Sequence, residues 1–230
     1  MANRVMVLGT DTGIGKTLAT AALFAWASER SQVLGSVITQ KWVQCGDLDD
    51  LDIDAHHQFL PETGRRVDCD PVLKKNRLPY QLSLAASPHL ASEEDAVTLD
   101  LETVKVSLDW LCSRYQQVII EGAGGVLVPM TREAVLLDWV QELGLEVLLV
   151  IGNKVGCLNH SLLTLEAFRS RGIVCKGLIF SDLDRHCPEQ VRRDNESYLA
   201  SQSGVPVVMR LPYQPQSLSD LWVGDLDSVF

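Results

Sequence analysis

The sequence lacks the features that mark a secreted, zinc-binding or membrane-spanning protein. Its six cysteines form no Cys-x-x-Cys pair, and its five histidines form no cluster at the spacing of a zinc site. No apolar run approaches the roughly 20 residues of a membrane helix, and the first one leads straight into a glycine loop rather than resembling a signal peptide. These absences predict a cytoplasmic protein whose thiols stay reduced.

Basic residues are also scarce, because 20 lysines and arginines face 30 aspartates and glutamates, for a net charge of −10. Such a surface repels nucleic-acid phosphate and anionic lipid, so we expect neither nucleic acid nor a membrane as a partner. The charge does not exclude a local phosphate site, because backbone N–H groups and one or two lysines are enough to build one.

Short apolar runs alternate with helix-like segments along the chain. The length of 230 residues suits one domain, which we predict to extend over residues 1–230. Strands are predicted at Arg4–Gly9, Val33–Ile38, Gln117–Gly125, Val147–Gly152, Cys175–Ser181 and Val205–Pro212. Helices are predicted at Thr17–Arg30, Asp54–Leu60, Ser161–Arg171 and Pro188–Ser203, with a long irregular connection before Leu99. This order predicts a doubly wound α/β fold, with a mostly parallel sheet and helices on both faces.

A glycine-rich segment, GTDTGIGKT at Gly9–Thr17, lies between a predicted strand and a predicted helix, which is the setting of a phosphate-binding loop. Its glycines let backbone N–H groups face phosphate oxygens, and the helix N-terminus adds a favourable dipole. Lys16 would reach the β- and γ-phosphates of ATP, and the Thr17 hydroxyl would ligate Mg²⁺. Gly9 and Gly15 are separated by one residue more than in the general pattern.

Three further segments end at the same predicted sheet edge, where open α/β sheets bind ligands. Lys41 could stabilise a transferring phosphoryl group, although a lone lysine is more often an ordinary surface residue. The acidic run that ends at Asp54 and the EGAGG segment at Glu121–Gly125 could hold Mg²⁺, or the run could be a solvated loop. The turn within Gly152–Ser161 could bind an anion such as a carboxylate, or could simply connect a strand to a helix.

Taken together, these segments resemble the dethiobiotin synthetase family over about Arg4 to Pro212. The matching motifs are GTDTGIGKT, a Lys-x-Val-x-x-Gly pattern at Lys41–Gly46, SPHLAS at Ser87–Ser92, EGAGG, DWV at Asp138–Val140 and KVGCLNH at Lys154–His160. The resemblance implies a P-loop NTPase-like homodimer with a substrate site at the interface. It also implies that the protein uses ATP, Mg²⁺ and CO₂ to convert 7,8-diaminopelargonic acid into dethiobiotin through a carbamate and a carbamic–phosphoric anhydride.

The resemblance further implies a role for each matched position. The implied catalytic residues are Lys41, Lys16 and Thr12, and the implied Mg²⁺ ligands are Thr17, Asp54 and Glu121. The implied nucleotide-binding residues are Gly13, Ile14, Gly15, Lys16, Thr17, Leu18, Asp54, Glu121, Gly122, Ala123, Gly124, Ser181, Asp182, Pro212, Tyr213 and Gln214. The implied substrate-binding residues are Thr12, Lys41, Cys45, Gly156, Cys157, Leu158 and Asn159, of which the last four would receive the substrate carboxylate bound to the other subunit.

Three positions depart from the family pattern. Trp42 stands where proline is common, and Cys45 replaces a serine or threonine that contacts the substrate. Ser181 replaces an asparagine that contacts adenine, and it lacks the paired donor and acceptor of an amide.

Two other functions are compatible with the phosphate loop. A related P-loop amidoligase of the cobyrinate type would act on a different amine or carboxylate. A non-enzymatic nucleotide switch or partitioning ATPase would not require the combination of Lys41, Glu121 and the Gly156–Asn159 turn.

Overall fold

A seven-stranded sheet forms the centre of the fold in the computed structural model, which describes residues 2–31, 36–46, 48–60, 70–227 and 229. The strand order is β2-β5-β1-β6-β7-β8-β9, and every pairing is parallel except that of β8 with β9. The strands of this sheet are β1 (Asn3–Gly9), β2 (Val37–Lys41), β5 (Gln117–Glu121), β6 (Glu146–Gly152), β7 (Cys175–Ser181), β8 (Val207–Leu211) and β9 (Trp222–Val223). The predicted fold class is therefore confirmed.

Helices cover both faces of the sheet. Their bounds are α1 (Lys16–Arg30), α2 (Asp52–Ala55), α3 (Pro71–Arg77), α4 (Pro88–Glu94), α5 (Leu101–Cys112), α6 (Leu136–Glu142), α7 (Cys157–Ser170) and α8 (Glu189–Ser203). Side chains of β1 alternate between two cores, because Met6 packs with α5 and α7 whereas Val7 packs with α1. None of the helices in the described part of the chain is both long and apolar enough to cross a membrane.

Strand β1 lies between β5 and β6, which continue the sheet in opposite directions. A crevice opens at the carboxyl ends of the strands at such a switch point, and ligands bind there in open α/β sheets. The glycine-rich segment follows β1 directly, so the topology places it in this crevice.

The described parts of the segment between β2 and α5 contain more regular structure than we predicted. A second, two-stranded parallel sheet joins β3 (Val43–Cys45) to β4 (Tyr80–Leu82), and α3 and α4 flank it. The predicted helix Asp54–Leu60 is instead the single turn α2 followed by turns. The predicted irregular connection was wrong because strands of three residues and helices of seven carry too little periodicity to detect.

Other bounds also need correction. The strand predicted at Val33–Ile38 is β2, four residues further along, and residues 33–35 lie outside the described part of the chain. The strand predicted at Gln117–Gly125 ends at Glu121, where the glycines leave the sheet. The helix predicted at Ser161–Arg171 begins earlier, at Cys157.

Candidate functional site

The loop between β1 and α1 has the backbone of a phosphate cradle. Gly13 and Gly15 adopt φ angles of 69° and 94°, in the left-handed region that favours glycine. Lys16 is buried and its Nζ donates a hydrogen bond of 2.7 Å to the Asp11 carbonyl oxygen. Burial lowers the pKa of Lys16 to about 8, and the negative charge of Glu121 opposes that shift. The lysine therefore carries a positive charge at neutral pH next to the glycine-rich turn.

Lys41 and Glu121 end two adjacent strands, β2 and β5, and are register partners. Lys41 Nζ lies 2.9 Å from Glu121 Oε1, and both side chains are buried. Burial disfavours both charges, but the ion pair outweighs it: the pKa of Lys41 is raised and that of Glu121 is lowered to about 2. The Thr17 hydroxyl, from the first turn of α1, lies 3.0 Å from the same Glu121 oxygen.

Asp52, at the start of α2, is the second carboxylate of this cluster. Its side chain pairs with Lys41 Nζ, and its Oδ1 lies 3.2 Å from Thr17 Oγ1. Asp54 was the carboxylate expected here, but its side chain is exposed, because a helical turn places residues two apart on different faces. The structure therefore brings Asp52, rather than Asp54, to Thr17 and Glu121.

Two further buried residues of the cluster had no signal in the sequence. His56 Nε2 lies 2.6 Å from Glu121 Oε2, and burial lowers the pKa of this histidine although the Glu121 hydrogen bond opposes the shift. Arg77 donates from Nη2 to the Ile53 carbonyl oxygen and to Thr39 Oγ1, so it ties α2 to β2. His56 lies in a short predicted helix beside a second histidine, and Arg77 lies in the connection predicted to be irregular, so spacing alone could not assign either residue to a site.

A cavity of about 560 Å³ opens beside the Lys41 cluster. Its lining includes Thr12, Lys41, Cys45, Asp52, Ser87 and Gly124. The EGAGG segment approaches the phosphate loop closely, because a Cβ on Gly124 would lie 3.6 Å from Thr12 Oγ1. The structure thus brings the implied catalytic residue Thr12 and the implied substrate contact Cys45 to the same space as Lys41.

Comparison with known proteins identifies the family. Residues 3–219 match the family model described as an AAA domain. The chain is 32% identical over 198 residues to the ATP-dependent dethiobiotin synthetase BioD 2 of Haemophilus influenzae, a match that covers 85% of this chain and 99% of that protein. The chain belongs to the dethiobiotin synthetase family. As a member of that family, it is an ATP-binding P-loop protein.

Solved structures of P-loop ATPases share the fold of this dethiobiotin synthetase family member. A ParA family ATPase from Chlorobium tepidum is 19% identical, with a TM-score of 0.53 over 93% of this chain and 85% of that one. The cell division protein MinD of Aquifex aeolicus is 14% identical, with a TM-score of 0.55 over 95% of this chain and 85% of that one. At these identities the likeness shows the fold alone.

Trp42 departs from the dethiobiotin synthetase pattern without entering the site. Its side chain is buried, its ring centroid lies 6.4 Å from that of Trp139, and its Nε1 donates a 3.2 Å hydrogen bond to Gln40 Oε1. The indole therefore fills the core beneath the small sheet. Cys45 does line the cavity, and burial raises the pKa of its thiol, so it acts there as a neutral side chain.

The segments implied to contact the nucleotide base lie at the same sheet edge. Ser181, the last residue of β7, pairs with Leu211 of β8, so the loop Pro212–Gln214 begins beside it. A Cβ on Gly15 would lie 2.6 Å from Ser181 Oγ, which shows how close the phosphate loop comes to this edge. Asp182 accepts a 3.0 Å hydrogen bond from Arg192 Nη1, and burial raises its pKa. Tyr213 is exposed.

The turn Gly156–Asn159 does not line the cavity beside Lys41. Gly156 has a φ of 90° and precedes the first turn of α7, and Cys157 is buried against the core. None of these four residues is among those described as lining the cavity beside Lys41. Nearby apolar side chains are exposed, including Val155 at 78% and Leu163 at 63%.

The donor atoms around Glu121 fit Mg²⁺. Thr17 Oγ1, Asp52 Oδ1 and Glu121 Oε1 are hard oxygen ligands at the N-terminus of α1, and the ammonium of Lys41 already shows that a cation is favourable between the two carboxylates. Mg²⁺ in nucleotide sites typically takes one or two carboxylates together with phosphate oxygens and water. His56 Nδ1 is buried without a hydrogen-bond partner among the described residues, and no group of three or more His, Cys, Asp or Glu side chains in that part of the chain is placed to hold a metal ion by itself.

Proposed function

We propose that this protein is an ATP-dependent dethiobiotin synthetase. The observation that carries the proposal is the cavity that opens on Lys41 and Thr12 beside the phosphate loop, because a nucleotide switch needs no such second compartment. The alignment with BioD 2 over nearly the whole of that protein supports the same conclusion. The cavity is of a size that holds a small organic substrate.

In the proposed reaction, an amine of 7,8-diaminopelargonic acid adds to CO₂ and loses a proton to give a carbamate. A carbamate oxygen then attacks the γ-phosphorus of ATP, the bond to ADP breaks, and a carbamic–phosphoric anhydride forms. The second amine attacks the carbamoyl carbon, loses a proton and expels phosphate as the ureido ring closes. No covalent bond to the protein is required, so positioning and charge stabilisation account for the catalysis.

Three residues would stabilise the charges of this reaction. Lys16 lies at the phosphate loop, where its ammonium would neutralise the β- and γ-phosphates. Lys41 lies between the phosphate loop and the cavity, so it can reach both the carbamate and the transferred phosphoryl group. Thr12 lines the cavity next to Gly124 and would donate a hydrogen bond to the substrate. Thr17, Asp52 and Glu121 would hold Mg²⁺, which would offset negative charge on the triphosphate when bound.

The acidic side of the cavity suits a substrate with amino groups. Asp50 and Asp52 are among the residues that line the cavity. Gln44 holds this acidic loop in place, because its amide donates to the Asp50 carbonyl oxygen and accepts from the Asp52 N–H. Carboxylates near a cavity stabilise protonated amines and accept hydrogen bonds from neutral ones.

The reaction can be tested with ¹³C-labelled bicarbonate, ATP, MgCl₂ and 7,8-diaminopelargonic acid. We expect ADP release that depends on the diamine, together with a labelled ureido product detected by mass spectrometry. The control is the Lys41→Met variant, which keeps a side chain of similar length without the charge. ATP turnover that is indifferent to the diamine would contradict the proposal and favour a switch or an amidoligase.

We also propose that two copies of the chain form the working enzyme. The turn Gly156–Asn159 is not part of the described lining of the cavity beside Lys41, and Val155 before it and Leu163 in α7 expose apolar side chains. Light scattering should give the mass of a dimer. Mixing Lys41→Ala and Asn159→Ala subunits should restore part of the activity that each variant lacks, and a monomeric, fully active protein would contradict the arrangement.

A further inference from the structure

Glu121 receives hydrogen-bond donors on both of its oxygens, from opposite sides. Oε1 faces the phosphate loop, where Lys41 Nζ lies at 2.9 Å and Thr17 Oγ1 at 3.0 Å. Oε2 faces away from the loop and lies 2.6 Å from His56 Nε2. Glu121 is 1% exposed and His56 is fully buried, so water does not replace this donor.

The partner of His56 determines the position of its proton. An ionised carboxylate only accepts hydrogen bonds, so Nε2 must be the nitrogen that carries hydrogen, whatever the charge of the ring. His56 Nδ1 has no hydrogen-bond partner among the described residues. The bond to Glu121 is therefore the single polar contact that the ring makes in that part of the chain.

The fold fixes the histidine in this place. His56 follows the last residue of α2, and its backbone N–H donates to the Asp52 carbonyl oxygen at the start of that helix. Arg77 in turn holds α2 against β2, because it donates to the Ile53 carbonyl oxygen at 2.9 Å and to Thr39 at the neighbouring strand. The backbone that carries the His56 ring is therefore fixed by contacts that do not involve Glu121.

Removing the donor would leave Glu121 Oε2 as a buried, charged acceptor without a partner. Such a group costs free energy, and the carboxylate can relieve that cost by turning both oxygens toward the Lys41 ammonium. Both oxygens would then be occupied by the lysine, and neither would face Thr17 freely. The direction of Oε1 therefore depends on the hydrogen bond at Oε2.

We propose that His56 is a positioning residue, which holds Glu121 with Oε1 directed at Thr17 and the nucleotide phosphates. The inference rests on the role proposed above for Glu121 in binding Mg²⁺ with ATP, but not on the identity of the second substrate. Hydrogen bonds to metal-binding side chains commonly change metal affinity 10- to 100-fold, so the effect is measurable.

The experiment compares His56→Gln with His56→Leu and His56→Asn. The glutamine amide nitrogen reaches about as far from the backbone as Nε2, whereas leucine has no donor and the asparagine amide is too short. We expect the Mg²⁺ concentration for half-maximal binding of a non-hydrolysable ATP analogue to rise about tenfold in the leucine and asparagine variants and to stay near wild type in the glutamine variant. Affinity for the analogue without Mg²⁺ should change little in all three.

A double-mutant cycle separates positioning from a general structural role. In the Glu121→Gln background, His56→Asn should have no further effect on the Mg²⁺ dependence, because its only target is already altered. Additive effects, or equal Mg²⁺ dependence of the glutamine and asparagine variants, would overturn the inference. If His56→Leu does not fold, the glutamine and asparagine pair still decides the question. Absence of diamine-dependent ADP release in the wild type would contradict the proposed reaction only, because nucleotide binding is measured without the diamine.

Discussion

Lys41 and Glu121 face each other across β2 and β5, and their side chains form a buried ion pair of 2.9 Å at the edge of the sheet. A charge in this position depends on its partner, because both side chains are almost entirely buried. The pair therefore links the stability of the sheet edge to the residues that we assign to catalysis.

Replacement of Lys41 by methionine should lower both stability and activity. Loss of the ammonium leaves Glu121 buried without its cation, which costs about 3 to 5 kcal/mol of unfolding free energy. The double variant Lys41→Met/Glu121→Gln should recover most of that free energy in urea denaturation, since neither member of the pair then carries a charge, but should stay inactive. Full activity in the double variant would contradict the role of Lys41.

Asp52 and Asp54 are two residues apart in the sequence, so they provide a direct comparison of two neighbouring carboxylates. Asp52→Asn should weaken Mg²⁺-dependent nucleotide binding about tenfold, because Asp52 contacts Thr17 and Lys41. Asp54→Asn should change it by less than about twofold, because that side chain is exposed. Calorimetric titration with an ATP analogue measures both. The reverse result would restore the assignment of Asp54 that the family resemblance implies.

Gly15 is the glycine of the phosphate loop that should tolerate a side chain least. The φ angle of Gly15 is 94°, which strains any other residue, and a Cβ there would lie 2.6 Å from Ser181 Oγ. Overpacking therefore adds about 1 to 3 kcal/mol to the backbone strain. Gly144→Ala is the matched control, because Gly144 has a φ of 59° and no described atom near its Cβ position. In thermal unfolding, Gly15→Ala should lower the melting temperature more than Gly144→Ala does. Adding Ser181→Ala to Gly15→Ala should restore part of the lost melting temperature. Equal losses at both glycines would contradict the contact.

The Asp100 side chain should make the stability of α5 dependent on pH. It caps the helix by accepting from the Thr103 N–H at 2.8 Å and also accepts from the Tyr80 hydroxyl at 3.0 Å. The hydrogen bond from the Thr103 backbone lowers the pKa of Asp100 below 3.8. The charged cap therefore contributes to the free energy of unfolding above pH 3.8, and this contribution is lost as the pH falls below that value.

Asp100→Ala should cost about 1 kcal/mol at pH 7 in urea denaturation, a value that includes solvent screening of an exposed cap. The difference in unfolding free energy between Asp100→Ala and wild type should become smaller as the pH falls below 3.8. Asp109→Ala, on the exposed side of the same helix, serves as the control and should change stability by less than about 0.5 kcal/mol. A difference that is independent of pH would show that the charge of Asp100 makes no contribution.

The central sheet could be predicted because its strands are buried on both faces. Val147–Gly152 and Cys175–Ser181 read as continuous apolar runs, and the structure places β6 and β7 within a residue of these bounds. The second strand was harder, because β2 ends in the polar sequence Thr39–Lys41 and is nevertheless buried. Lys41 lines the cavity and Thr39 binds Arg77, so two of the polar residues that hid the strand serve the site.

Site residues could be predicted only where they belong to a short sequence motif. Lys16 and Thr17 follow from the phosphate loop, whereas the contact of His56 with Glu121 joins two segments far apart in the chain. Such a contact depends on how α2 packs against β2. Arg77 holds the two together, and it lies in α3, a helix that we did not predict. The choice between Asp52 and Asp54 likewise depends on the rotation of one short helix, and sequence spacing does not determine that rotation.

The position of β1 has a consequence for synthesis on the ribosome. Asn3 pairs with Gln117 of β5 on one side, and Val5 pairs with Glu146 of β6 on the other. A nascent chain therefore exposes both edges of β1 until β5 has left the exit tunnel. The apolar surface of β1 and α1 must be shielded during that interval, and the Glu121 carboxylate joins Thr17 of the phosphate loop only once β5 is in place.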